Sequence, residues 1–165
     1  MSLYRIHSKQ TLPISKDLAW EFLSNPRNLQ KITPKSMDFK IIAGADRTIF
    51  PGQIIEYIVK PFPFYDVTWV TEITHVEHGS YFVDEQRFGP YSFWHHKHFI
   101  VETSKGVVME DIVDYKLPFG TLGRLVHRLF VKKQLERIFE YRKAKLELIF
   151  GPTDTIAPNL VLQTV

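Results

Sequence analysis

The sequence predicts an α+β fold in which a curved antiparallel sheet wraps around one long C-terminal helix. Three observations support this prediction. Apolar residues alternate with period two over residues 37–117, they recur at helical spacing over residues 121–150, and two short helical segments precede the sheet region. A long antiparallel sheet has to bend and bury one face, and a single helix is the simplest cover for that face.

The N-terminal segment predicts one strand followed by two short helices. Residues 4–12 begin with the alternation of a strand. Ser15 is a suitable N-cap for a helix that reaches about residue 24. Pro26 suits the first position of a second short helix, because proline has no backbone N–H to leave unpaired there.

Residues 37–117 predict about six consecutive antiparallel strands, so the sheet has about seven strands with the first one included. Turn residues separate the alternating stretches. The breaks lie at residues 44–52, 61–63, 78–79, 89–90 and 104–106. Short connections of this kind are typical of strands that are neighbours in the sheet as well as in the chain.

Residues 121–150 predict a single helix, which would be about 45 Å long at 1.5 Å per residue. Gly151 and Pro152 end this pattern. The last residues show no clear periodicity, and we expect them to be mobile or to pack loosely on the surface. The predicted organisation is therefore one domain at residues 1–150 and a C-terminal tail at residues 151–165.

The composition disfavours several classes of protein. No cysteine is present, so the chain has neither a disulfide framework nor a thiolate nucleophile. The first residues lack the pattern of a secretory signal, and no apolar stretch reaches the ~18 residues of a membrane span, which favours a cytoplasmic protein. The net charge is +3. Basic residues concentrate in the C-terminal helix, but no nucleic-acid-binding motif accompanies them, and a solvated basic face is the better interpretation.

The hairpin around residues 104–106 places polar side chains on a face that should be buried. Alternation puts His96 and His98 on one face of its first strand, and Asp111 lies on the apolar-rich face of its second strand. A two-residue turn would align His98 with Asp111 and His96 with Val113. Buried polar groups are costly unless they are hydrogen-bonded or used, so this face is the predicted site.

Two interpretations of the His98–Asp111 pair remain open. The carboxylate can orient the imidazole and raise its pKa, so that His98, helped by His96, acts in general acid–base catalysis. Alternatively, the pair is a satisfied polar insertion that determines the strand register. A metal site is disfavoured, because alternation sends His95 to the opposite face and leaves an incomplete ligand set.

Further candidate ligand-binding residues lie on the predicted inner face or on the apolar stripe of the helix. They are Trp94, Tyr115, Trp69, Tyr57, Phe82, Met109, Asp84, Gln86 and Arg142. The aromatic members suit either a cavity wall or the core. Asp84 and Gln86 can extend the polar network. Arg142 can pair with an inward carboxylate, bind an acidic head group or reach solvent at the end of the stripe.

Several of these residues resemble motifs of the START-like, or SRPBCC, superfamily. The similar positions are residues 82–86 (FVDEQ), 89–91 (GPY), 94–99 (WHHKHF), Asp111, Tyr115 and 118–120 (PFG). The resemblance covers roughly residues 1–150 and is to a bacterial subgroup often labelled polyketide-cyclase-like or coenzyme-Q-binding-like. It implies a helix-grip fold with a ligand cavity between the sheet and the C-terminal helix.

The predicted function is binding of a small apolar or aromatic ligand, such as a lipid, an isoprenoid or a polyketide-like molecule, without a cofactor. The alternative is an enzyme of the cyclase, dehydratase or hydratase type, using the His–Asp pair without a metal or a covalent intermediate. No Gly-x-Ser-x-Gly elbow or phosphate-binding loop occurs, which favours binding over covalent catalysis. A third hypothesis is an interaction role for the basic helix face and the tail. The sequence does not indicate an oligomeric state.

Overall fold

An antiparallel sheet and a C-terminal helical segment account for most of the chain. The computed structural model describes residues 2–62, 65–153 and 160–165. The link at residues 63–64, within the predicted break before Tyr65, and residues 154–159 of the predicted tail lie outside the described residues. Within the described residues the α+β class predicted from the sequence is confirmed.

The described residues contain one sheet of eight antiparallel strands. The strands are β1 (Tyr4–Leu12), β2 (Lys40–Ala43), β3 (Gln53–Phe62), β4 (Tyr65–Glu77), β5 (Tyr81–Phe88), β6 (Phe93–Thr103), β7 (Gly106–Lys116) and β8 (Leu160–Thr164). Their order in the sheet is β2-β3-β4-β5-β6-β7-β1-β8. The strands from β2 to β7 therefore form the predicted meander, and β1 joins it beside β7.

Two short helical segments follow β1, as the sequence predicts. Helix α1 (Lys16–Leu23) begins after Ser15, whose hydroxyl accepts a hydrogen bond from the Leu18 backbone N–H. A 3₁₀ helix (Pro26–Ile32) follows, with the Asn25 side chain accepting from the Arg27 N–H. A further short 3₁₀ turn (Lys35–Met37) precedes β2.

The C-terminal helical segment is interrupted, which the periodicity did not predict. Helix α2 (Gly120–Val126) passes into a π-helical segment (His127–Val131), and helix α3 (Lys132–Phe150) follows. His127 and Val131 are both buried. The Tyr115 hydroxyl lies 2.7 Å from His127 Nε2, so a long-range contact accompanies the wider turn.

The C-terminal tail differs from the prediction. Residues 160–164 form β8, which pairs with β1 from Tyr4 to Ser8, so the sheet gains an eighth strand. Leu160 and Leu162 pack against the core cluster around Ile6. The strand was missed because it is short, lies at an edge of the sheet and half-buries only these two side chains.

One face of the sheet is covered by α3 and closed at one end by the short helices. Leu135 and Phe139 of α3 pack against Ile6 on β1, and Leu146 packs with Trp20 of α1 in a second cluster. Full burial of a large apolar side chain stabilises a fold by about 1.5–3 kcal/mol, so these contacts stabilise the packing of the helix on the sheet. Among the described helices, none is long and apolar enough to cross a lipid bilayer.

Candidate functional site

A cavity of about 210 Å³ lies between the sheet and α3. Strands β3 to β7, α3 and the 3₁₀ helix all contribute to its wall. Aromatic residues form one side, where Trp94 packs edge-on against Trp69 with ring centroids 5.2 Å apart and tilts against Tyr91 at 4.8 Å. The lining is therefore mostly apolar, as in sites that hold the body of a small organic ligand.

Five aspartate, histidine and arginine side chains line the same cavity. They are Asp84 on β5, His96 and His98 on β6, Asp111 on β7 and Arg142 on α3. The strand register brings four of them together, because Asp84 lies opposite His96 and His98 lies opposite Asp111. The predicted pairing of His98 with Asp111, and of His96 with Val113, is confirmed.

The two carboxylates bridge the two imidazoles. Asp111 Oδ1 lies 2.9 Å from His96 Nε2 and 2.9 Å from His98 Nδ1. Asp84 Oδ2 lies 2.7 Å from His98 Nε2 and 3.6 Å from His96 Nδ1. The ring centroids of the histidines are 3.6 Å apart. Each imidazole therefore faces Asp111 with one nitrogen and Asp84 with the other.

The two histidines of the cluster have pKa values shifted in opposite directions. Burial and the charge of His98 lower the pKa of His96 to about 4, against the opposing effect of Asp84 and Asp111. Burial also lowers the pKa of His98, but its hydrogen bonds to Asp111 and Asp84 outweigh this, so its pKa is raised above the usual value. His98 is therefore the proton carrier of the pair and His96 the neutral partner.

Both carboxyl groups are held in their charged form. Burial raises the pKa of Asp111, but hydrogen bonds from His96 and His98 lower it well below its usual range. Burial likewise raises the pKa of Asp84, and the charges and hydrogen bond of the two histidines give a net lowering. Two carboxylates, the His98 imidazolium and the Arg142 guanidinium thus balance one another in charge.

Arg142 completes the polar end of the cavity from the helix side. Its Nη1 lies 3.7 Å from Asp111 Oδ1, and its guanidinium lies 5.1 Å from the ring centroid of Phe139. The side chain is 14 % exposed. Its buried Nε has no hydrogen-bond partner among the described residues. A buried donor without a partner is unusual, because its desolvation is not compensated.

Solved structures share this architecture, although no protein-family model and no curated protein matches the sequence. The protein TTHA0849 from Thermus thermophilus superposes with a TM-score of 0.68 at 12 % identity, over 87 % of this chain and 94 % of its own. A START superfamily protein from Mycobacterium smegmatis has a TM-score of 0.66 at 11 % identity, over 88 % of this chain and 99 % of its own. A norcoclaurine synthase point mutant from Thalictrum flavum, in complex with a transition state analogue, has a TM-score of 0.62 at 15 % identity, over 90 % of this chain and 98 % of its own.

The chain has the helix-grip fold that these solved structures share. The shared features are the antiparallel sheet and the long C-terminal helix that lies against it. At these identities the likeness concerns the fold alone. The chemistry of this helix-grip cavity therefore has to be derived from its own side chains.

Most of the predicted site residues line the helix-grip cavity. These residues are Tyr57, Trp69, Phe82, Asp84, Trp94, His96, His98, Met109, Asp111 and Arg142. Phe82 also stacks on His98, with ring centroids 4.1 Å apart. Apolar and polar candidates are therefore brought to one place, as the alternation of β6 and β7 predicts.

Two predicted residues lie elsewhere. Tyr115 is fully buried behind the cavity wall, with its hydroxyl on His127 rather than in the polar cluster. The Gln86 Nε2 donates a hydrogen bond of 2.7 Å to the Tyr91 carbonyl, and its Oε1 accepts one of 3.2 Å from the Tyr91 backbone N–H. Gln86 still pairs with Thr71 of β4, but the ladder between β5 and β6 ends at Glu85, so its side chain bonds the backbone of the turn that follows β5.

Sequence reasoning missed part of the cavity wall. Tyr91 lines the cavity and packs against Trp69 and Trp94, but it follows the Gly89-Pro90 turn, where strand parity gives no direction. Leu29 and Ile32 of the 3₁₀ helix also line it. The apolar spacing of that helix was visible in the sequence, but its position against the sheet was not.

Three side chains of this helix-grip cavity could hold a metal ion. Asp84, His96 and His98 each offer a ligand atom, and these atoms lie within 4.8 Å of one another. Two imidazoles and one carboxylate suit iron or zinc. The same atoms are already engaged with each other, so a dication would have to displace the bond between His98 and Asp84.

Proposed function

We propose that the protein binds a small molecule whose apolar, ring-containing body fills the cavity and whose acceptor group reaches Arg142. The single observation that carries this proposal is the Arg142 guanidinium in the wall of an otherwise mostly apolar cavity, where its ion pair with Asp111 is as long as 3.7 Å. An acceptor atom on a ligand would give this guanidinium a shorter, charge-assisted hydrogen bond.

The size of the cavity supports a compact ligand. A cavity of about 150 Å³ lined by apolar side chains is known to hold a benzene molecule. The 210 Å³ available here suits a substituted ring or a small bicyclic system. Among the predicted ligand classes, an aromatic or polyketide-like molecule therefore fits better than a long-chain lipid or isoprenoid.

The charges at the polar end support an anionic or strongly polar head group. Arg142 is the donor there, and guanidinium groups bind carboxylates with short, charge-assisted bonds. Asp84 and Asp111 are already engaged by the histidines. A carboxylate, a phenolate or a conjugated carbonyl is therefore the favoured head group.

The test compares two probes of equal shape in titration calorimetry, 2-naphthoate and the neutral 2-naphthamide. Arg142→Ala should weaken 2-naphthoate by about 10- to 100-fold, since a hydrogen bond to a charged group contributes about 1.5–3 kcal/mol. The amide should lose much less. Arg137→Ala is the matched control, because Arg137 is exposed on the same helix. Equal weakening of both probes would mean that the guanidinium only packs, and failure of the unsubstituted protein to bind either probe would contradict the proposal.

A second candidate function, an enzyme of the cyclase or dehydratase type, is favoured by the opposite pKa shifts of the two histidines. A neutral imidazole beside a protonated one offers the proton acceptor and the proton donor that general acid–base catalysis uses, and a substrate would have to replace a carboxylate partner to reach either ring. No metal or covalent intermediate is needed for that chemistry. The norcoclaurine synthase of like fold supports it by analogy only.

The two functions are separated by His98→Ala, assayed with whichever naphthyl or polyketide probe binds. Catalysis predicts that turnover of the probe disappears while the fold and the probe's Kd are retained. Binding without catalysis predicts no turnover in either protein. If His96→Ala and His98→Ala both lose several kcal/mol of stability, the cluster is chiefly structural.

A cytoplasmic location, consistent with the absence of cysteine, is part of the same proposal.

A further inference from the structure

Large apolar side chains are exposed along α2 and the π-helical segment. Five of them form what we name the α2 patch. They are Phe119, Leu122, Leu125, Leu129 and Phe130, and they are between 53 % and 79 % exposed. Leu122, Leu125 and Leu129 recur at spacings of three and four residues, so they share one helical face. Contiguous exposed apolar groups of this kind usually mark an interaction surface.

The opposite face of this segment is firmly attached to the domain. Gly123, His127 and Val131 are buried. The His127 ring stacks on Tyr4 with centroids 3.6 Å apart and receives the Tyr115 hydroxyl at 2.7 Å. The α2 patch is therefore held facing outward by long-range contacts.

The patch is surrounded by positive charge. Arg124, Arg128, Lys132 and Lys133 are exposed, and residues 117–135 contain no aspartate or glutamate. None of the ion pairs formed among the described residues involves these four side chains. The segment thus combines exposed leucine and phenylalanine with four available cations.

We propose that this segment docks on a lipid surface that carries anionic headgroups. The α2 patch would enter the boundary between headgroups and acyl chains, and the four cations would lie among the headgroups. Amphipathic helices that rest on membranes have this composition, a leucine- and phenylalanine-rich face beside lysine and arginine. No ligand in the cavity is required for this docking, so the inference goes beyond the proposed function.

Charge complementarity favours a lipid surface over a second copy of the chain. A symmetric contact through the α2 patch would bring the four cations of each copy together with no carboxylate from this segment to neutralise them. An anionic bilayer supplies both missing elements, an apolar layer for the leucines and phosphate groups for the cations.

The position of the segment also relates it to the cavity. The π-helical segment passes directly into α3, whose Gln134, Leu135 and Ile138 line the cavity. Gln134 Nε2 donates a hydrogen bond of 2.5 Å to the Pro61 carbonyl near the end of β3. A docked α2 patch would therefore place a cavity wall within about one to two helical turns of the lipid.

The test is flotation of the full chain with vesicles of phosphatidylcholine, with or without phosphatidylglycerol. Binding is expected only with phosphatidylglycerol and should weaken as salt is raised. Arg124→Gln combined with Arg128→Gln should lower the partition constant by about 25-fold, since each cation near the surface contributes about fivefold. Leu125→Gln combined with Leu129→Gln should reduce it at least tenfold.

Leu148→Gln combined with Arg137→Gln is the control, because it removes an exposed leucine and an exposed cation from α3. The proposal is overturned if the unsubstituted protein does not float with the anionic vesicles, or if the control loses as much binding as the patch variants. It is also overturned if analytical ultracentrifugation shows a dimer that the leucine variant abolishes while vesicle binding is absent. That result would assign the α2 patch to self-association.

Discussion

At the scale of single residues, the polar cluster couples two strands and one helix through the Asp111 carboxylate. Its Oδ1 contacts a nitrogen of each histidine at 2.9 Å and faces the Arg142 guanidinium at 3.7 Å. Burial would make each of these charges costly in isolation, and the mutual contacts offset that cost. The cluster can be satisfied and still be functional, because the partly exposed Arg142 guanidinium lines the cavity and lies as far as 3.7 Å from Asp111.

The pH dependence of stability tests the assignment of protons in this cluster. The pKa of His96 falls from 6.5 to about 4 on folding, so between these values the unfolded chain binds a proton that the native protein does not. The free energy of unfolding should therefore decrease as the pH is lowered through that window, and His96 should account for about 3 kcal/mol of the decrease. His98 has the opposite shift, so its contribution is present below 6.5 and is lost as pH rises through its raised pKa.

Urea denaturation across this pH range measures both effects. His96→Asn should remove its share of the loss below pH 6.5, and His98→Asn should remove the loss on the alkaline side. His127, whose pKa is also lowered by burial, contributes to the acid side in every variant, so the difference between proteins is the quantity to read. A His96→Asn protein with the full acid-side loss would contradict the assignment.

At the scale of secondary structure, the close approach of α2 to the chain before it depends on one glycine. A Cβ at Gly123 would lie 2.1 Å from the Pro118 carbonyl oxygen and 3.3 Å from the Leu117 Cβ. The turn at Phe119 has a left-handed φ of 65°, which brings the helix back over this segment. The glycine is therefore explained by packing, although its helix propensity is poor.

Gly123→Ala separates packing from propensity by the sign of its effect. Helix propensity alone would stabilise the protein by about 1 kcal/mol, whereas the predicted steric conflict should destabilise it by about 1–3 kcal/mol. Chemical denaturation gives the free energy of unfolding directly. Thr121→Ala, at an exposed position of the same helix, is the control and should change stability by less than about 0.5 kcal/mol. A more stable Gly123→Ala protein would show that α2 can move away from residues 117–118.

At the scale of the whole molecule, β8 covers an edge that the meander leaves open. β1 pairs with β7 on one side and with β8 on the other. Without β8, the row of N–H and C=O groups on β1 would be exposed at the edge of the sheet. Residues 160–164 of the predicted loose tail thus belong to the sheet.

Truncation after Thr153 should therefore destabilise the domain and promote self-association. Loss of the two half-buried leucines costs about 2–3 kcal/mol in thermal or urea unfolding, and light scattering should detect pairing through β1. Leu162→Asn should reproduce part of the loss, while Val161→Asn, on the exposed face of β8, should be nearly neutral. A truncated protein that is as stable and as monodisperse as the full chain would contradict this view of β8.

The sequence by itself determined the strand faces and the local register of the central hairpin. Side-chain direction alternates with period two, and a two-residue turn leaves one alignment, so spacing alone places His98 opposite Asp111. The meander and the two short helices followed from the same kind of local signal, because turn residues and caps act over a few positions.

Only the tertiary structure decided which distant elements meet. Asp84 bridges both histidines, Arg142 reaches Asp111 from α3, and Gln86 bonds Tyr91. These contacts depend on where the strand ladders end and where the helix packs. The pairing of β8 likewise needs a partner strand more than one hundred residues away, and the π-helical segment is accompanied by the buried contact between His127 and Tyr115. Periodicity is a property of neighbouring residues, whereas a cavity is the space that packing between distant elements leaves unfilled, so no local pattern specifies it.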